Sequence, residues 1–85
     1  MKHAGPHTLN QLSTLLAQLR QLPGLVERRP GIFYCKSAAY LHFHDDPAGV
    51  FADVKLGSKG FERFPVNTPE EQAELLARVA RQRLA

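Results

Sequence analysis

Between Ile32 and Leu56 the chain alternates apolar and polar residues with a period of two. Ala39, Leu41 and Phe43 fall on one face of an extended segment, and Tyr40, His42 and His44 on the other. The next segment repeats the pattern, with Val50, Ala52, Val54 and Leu56 on the apolar side and Phe51, Asp53 and Lys55 pointing away. Asp45-Asp46-Pro47-Ala48-Gly49, between the two, has the residues of a hairpin turn, so the pair reads as an antiparallel hairpin. If His44 stands opposite Phe51, then His42 faces Asp53 and Tyr40 faces Lys55; two other registers keep the same faces.

Helical spacing governs both ends of the chain. Thr8 followed by Gln11 matches a capping box and opens a helix whose apolar stripe is Leu9, Leu12, Leu16 and Leu19, widened by Leu15 and Leu22. Pro23-Gly24 ends it. Thr68-Pro69-Glu70-Glu71 is the start signal of a second helix, with its stripe on Ala73, Leu76, Val79, Ala80 and Leu84. Its acids lie near the N-terminus and Arg78, Arg81 and Arg83 near the C-terminus, as the helix dipole favours. Between the helices, Leu25–Arg29 reads as a short lead-in strand and Ile32–Cys35 as a second strand. Lys36-Ser37-Ala38 lacks a recognisable tight-turn sequence. Gly57–Gly60 reads as a turn, and Phe61–Phe64 as a last strand closed by Pro65. Residues 1–7 have no period and read as a disordered tail before a single domain over residues 8–85. The expected fold is α+β: a two-layer sandwich of a three- or four-stranded antiparallel meander with both helices on one face, in the order α-β-β-β-(β)-α. Leu41, Phe43, Val54, Leu76 and Val79 should be buried together, leaving the opposite sheet face uncovered by its own chain.

With 85 residues there is room for one core and no second domain. No apolar run approaches the roughly 20 residues that span a bilayer, and Met1–His7 lacks the apolar centre of an export signal. With Cys35 as the single cysteine, the expectation is a cytoplasmic protein without an internal disulfide, in which Cys35 acts as a small buried hydrophobe. The net charge of +3 is spread along the chain, which keeps it soluble without marking it as a nucleic-acid binder.

The chemistry-bearing residues gather on the uncovered face. His42 and His44 in a His-x-His pair could present two nitrogens to a divalent metal, with Asp45, Asp46 or Asp53 as a third ligand; set against this, paired histidines on a wet strand are more often plain surface residues. Asp45 or Asp46 followed by Asp53-Val54-Lys55 echoes the acids and lysine of metal-dependent nucleases, though turn and strand-face roles account for the same residues. A metal-assisted hydrolase would use His42, His44, Asp45 and Asp53. No spacing supports a Ser or Cys triad on Ser37 or Cys35. Arg28, Arg29, Lys36, Lys55, Lys59 and Arg63, interleaved with Tyr34, Tyr40 and Phe51, would suit single-stranded nucleic acid if they shared one face. The reading preferred on balance is a non-enzymatic binding or accessory module. Its face of Tyr40, His42, His44, Phe51, Asp53 and Lys55 would take a small ligand, a metal ion held by His42, His44 and Asp53, or a second copy of the chain in a homodimer.

Leu22-Pro23-Gly24, Phe33, His42-Phe43-His44 and Ala52-Asp53-Val54-Lys55-Leu56 together resemble a family of luciferase-like domains. That family has a Leu-Pro-Gly helix end, a His-x-His strand and an Asp-Leu-Arg-Leu-type strand. The resemblance spans residues 15–56. It implies a role for His42, His44 and Asp53, the positions matching its motif, and carries no light-emitting activity to this chain.

Overall fold

The hairpin is the centre of the sheet. In the computed structural model, which describes residues 2–84, it is formed by β4 (Ala38–Asp46) and β5 (Gly49–Gly57). The registers His42↔Asp53 and His44↔Phe51 are both present. Met1, the first residue of the expected tail, and Ala85, the last of the expected domain, lie outside the described residues. The remaining elements are β1 (Lys2–His3), α1 (Pro6–Gln11), α2 (Ser13–Arg20), β2 (Val26–Arg29), β3 (Ile32–Cys35), β6 (Gly60–Pro65) and α3 (Pro69–Arg83). Strands β2-β3-β4-β5-β6 form a continuous antiparallel meander, one strand longer than the expected maximum because Val26–Arg29 pairs with β3.

Helices and sheet meet in one core. Leu12, Leu15, Leu16 and Leu19 join Phe33, Leu41, Phe43, Ala52 and Val54 from the sheet and Leu75 and Val79 from α3. Helices α2 and α3 therefore cover the same sheet face, as in an α+β two-layer sandwich. The α3 stripe is rotated from its expected position. Leu75 and Val79 are buried, Leu76 and Ala80 are half-buried, and Ala73 and Leu84 are exposed. Gln82 completes the inward line because it accepts from the Tyr40 hydroxyl and donates to the Leu56 carbonyl, a satisfied polar pair that hydrophobicity alone does not reveal.

The tail is also revised. Residues 2–7 belong to the fold: His3 pairs with His44 along the edge of β4, the Ala4 amide donates to the Phe43 carbonyl at 3.0 Å, and Pro6 and His7 open α1. The helix therefore begins two residues before Thr8, with Gly5 at its cap. The Thr8 hydroxyl donates to Asp45 Oδ1 at 2.8 Å instead of capping. The helix breaks at Leu12 and α2 ends at Arg20, ahead of Pro23-Gly24. In α3 the expected capping box of Thr68 and Glu71 is present.

Three irregular steps in the sheet decide which side chains share a face. Phe33 pairs with Leu41 but Tyr34 pairs with Ala39, so Tyr40 is an extra residue in β4. The bulge turns Tyr40 inward with Leu41 and Phe43, and Ala39 outward. Glu27↔Phe33 followed by Arg29↔Ile32 makes Arg28 the extra residue of β2. A third shift, between Val54 and Gly57, bends the end of β5. The Lys36-Ser37 connection is a two-residue turn with both residues at positive φ (53° and 68°), the conformation hairpin twist demands. Gly49, at φ 134°, closes the central hairpin. A Cβ there would sit 2.9 Å from Asn67 Oδ1, the atom that accepts from the Val50 amide.

Candidate functional site

The outer sheet face, opposite the helices, carries its polar cluster on β4, β5, β1 and β6. Parity along β4 places His42 and His44 outward, the pairing of β5 adds Asp53 and Phe51, and β1 brings His3 beside His44. Arg63 of β6 stands opposite Asp53. His3, His42 and His44 each present one ring nitrogen, and the three nitrogens lie within 4.8 Å of one another. Their rings pack edge and tilt, with centroids 4.6 Å apart for His42–His44, 5.2 Å for His3–His44 and 5.7 Å for His3–His42. Phe61 closes the lower side, 5.0 Å from His42.

Burial grades across the cluster: His3 is exposed, His42 half-buried and His44 buried at 9% exposure. His42 Nδ1 and His44 Nε2 are 2.6 Å apart, and His44 Nε2 is 3.2 Å from Asp53 Oδ2. A contact of 2.6 Å between two imidazole nitrogens requires one to carry the proton and the other a lone pair. His44 Nδ1 is buried and has no hydrogen-bond partner among the described residues. Such a nitrogen costs free energy until a ring rotation or a ligand satisfies it.

Asp53, also 9% exposed, anchors the other side of the cluster. Arg63 grips it with two parallel bonds, Nε to Oδ1 at 2.9 Å and Nη2 to Oδ2 at 3.0 Å. Burial opposes ionisation of this carboxyl, but the hydrogen bonds and charge of Arg63, with the nearby histidines, hold it below its ordinary value. His42 is pushed below the usual histidine value, first by burial and then by the neighbouring His44, with Asp53 pulling the other way. A neutral His42 keeps the lone pair that coordination needs.

The six residues expected on this face divide. His42, His44, Phe51 and Asp53 are there. Tyr40 is not: at 5% exposure it faces the helices, bonded to Gln82 with the Arg83 guanidinium 5.2 Å over its ring, because the bulge reverses its side. Lys55 is exposed at the bend of β5 and lines a shallow hollow with Tyr40, Gln82 and Arg83. Asp45 points to the helix layer, accepting from Thr8 and from the Gly5 amide at 3.3 Å, and Asp46 accepts from the Ala48 amide in the turn. Neither carboxylate joins the histidines. Cys35 is half-buried and free, its sulfur accepting from Arg83.

His3 was missed by the sequence reading because an unpatterned terminus gives no register. Its residue type was the only available signal. Beside His3 and His42, a hollow of about 640 Å³ extends over Arg28, Arg29, Ile32 and Tyr34. A more apolar groove lies elsewhere, lined by Pro6, Leu9, Leu16 and Pro30, and its one charged residue, Arg20, is already paired with Glu27. Among the described residues, no helix is long and apolar enough to cross a membrane. No protein-family model, curated protein or solved structure matches the chain.

Proposed function

We propose that the protein is a small non-enzymatic binding module whose outer sheet face holds one divalent transition-metal ion on His3, His42 and His44. The observation that carries this reading is the convergence of three imidazole nitrogens within 4.8 Å, drawn from two strands far apart in sequence. Two nitrogens on one tetrahedral zinc ion, each about 2.0–2.1 Å from it, stand roughly 3.3 Å apart, so small ring rotations would gather the three. Imidazole sets suit zinc, copper, nickel or cobalt, and hard oxygen-seeking ions such as magnesium much less. Asp53 Oδ2 contacts His44 at Nε2, the same nitrogen that faces His42, and its carboxylate is fixed by Arg63, so it borders the place where the ion would sit.

The same geometry disfavours the hydrolase alternative. A metal-assisted hydrolase needs a carboxylate free to take a proton near the ion. Asp45 is engaged on the other side of the sheet and Asp53 is neutralised by Arg63. The test is titration with zinc or cobalt in competition with a coloured chelator. One equivalent should bind, and His44→Ala should remove it; equal weak binding by wild type and variant would refute the metal site. A homodimer through this face is the second reading, supported by Phe61, 46% exposed beside His42. Sedimentation with and without metal tests it: a monomer in both conditions at high concentration excludes the dimer.

A further inference from the structure

The outer face carries two arginines that the metal reading does not use. The bulge at Arg28 lets Arg28 and Arg29 both reach the outer face, where strict alternation would send one of them inward. Arg29 pairs with Ile32, whose other neighbour across the sheet is His42. The Arg28 guanidinium lies 5.1 Å over the Tyr34 ring, which holds it along the sheet. Both arginines are exposed, and among the described residues neither is paired with a carboxylate. The other acids nearby are already engaged: Glu27 with Arg20, and Asp53 with Arg63. The hollow these arginines border is the one that ends on His3 and His42.

We infer that this hollow binds a small organic anion, a phosphate monoester or carboxylate, whose charged group bridges the arginines and the metal. The inference rests on the metal reading above. Three protein nitrogens leave a tetrahedral ion one open position, and an oxyanion is a natural fourth ligand. Guanidinium groups bind the remaining oxygens in paired hydrogen bonds. At about 640 Å³ the hollow has the size of sites for molecules up to that of a nucleotide, larger than a bare phosphate. Tyr34 and Ile32 supply the flat and apolar surface for the rest of the molecule.

The test uses the full chain loaded with cobalt, whose visible spectrum reports its coordination sphere, titrated with phenyl phosphate, benzoate and inorganic phosphate. One or both aromatic anions should shift the spectrum and bind at least tenfold more tightly to loaded than to metal-free protein. Arg28→Ala combined with Arg29→Ala should weaken that binding tenfold or more while cobalt affinity stays unchanged. Retained cobalt affinity also shows that the variant folds, since the three histidines come from separate segments. Cobalt binding without any response to the three anions, or a response indifferent to the arginines, overturns the anion site alone. Inorganic phosphate binding as tightly as phenyl phosphate overturns the organic-ligand assignment. A single-stranded oligonucleotide displacing phenyl phosphate at far lower concentration assigns the face to nucleic acid instead. Failure to bind cobalt removes both the metal site and the bridged anion.

Discussion

His44 and Asp53 are the polar side chains that the outer face buries most deeply, and in the proposed metal site the first would coordinate and the second would support. At that site, removing His44 would delete a ligand, whereas Asp53→Asn would keep the shape and lose the carboxylate charge beside His44 Nε2. Asp53→Asn should therefore weaken zinc binding by about 10–100-fold, and His44→Ala by more, both read by chelator competition. Tyr40 is the control on the other face. Tyr40→Phe loses its bond to Gln82 and should cost about 1 kcal/mol in urea unfolding while leaving zinc affinity untouched. A change in zinc affinity would return Tyr40 to the histidine face and contradict the bulge.

Strand ends and turns carry the next set of consequences. The short β1 is held by its pairing with β4 and by the Ala4 amide, so a metal ion on His3 would tie it down further. Hydrogen exchange should show the Ala4 amide slowing on addition of zinc in wild type and not in His3→Ala. In the Lys36-Ser37 turn two non-glycine residues occupy left-handed backbone. Ser37→Gly relieves one of them and should raise stability by about 0.5–1 kcal/mol after the glycine's larger unfolded-state entropy is counted. Glu27 ties β2 to α2. Its carboxyl lies below the usual value, chiefly because Arg20 hydrogen-bonds it, against the opposing effect of burial and with help from the Gly31 amide. A lowered native pKa means that this contribution is present above the unfolded value near ~4.3 and fades as pH falls through the native one. Wild type should thus be more stable than Glu27→Gln at pH 7, with the difference closing below about pH 4 in thermal melts.

The whole molecule stands on one small core, and its margin is narrow. Phe43 lies at the centre of that core, fully inside between sheet and helices. Phe43→Ala should cost about 3–5 kcal/mol in urea unfolding, a large share of what a domain of this size possesses. An ion bound only by the folded state adds to that margin by mass action, about 2.7 kcal/mol when its concentration is 100 times its dissociation constant. Zinc should therefore raise the melting temperature of wild type and leave His44→Ala unchanged.

Periodicity along single segments was enough to establish the hairpin and its two faces, the leucine stripe of the first helix and the cap of the last, while the register His42↔Asp53 was one of three that kept those faces. Each of these depends on residues close in sequence, whose spacing alone determines which face they share. His42, Asp53 and His44 fell on one face for the same reason, and the register then set Asp53 opposite His42. The side of Tyr40, the outward turn of both Arg28 and Arg29, and the inward place of Gln82 depend on bulges and on long-range hydrogen bonds, which leave no period to read. His3 illustrates the limit most clearly. Nothing near it in sequence marks a strand, and only the free edge of β4, created when the whole chain folds, brings it to the other two histidines.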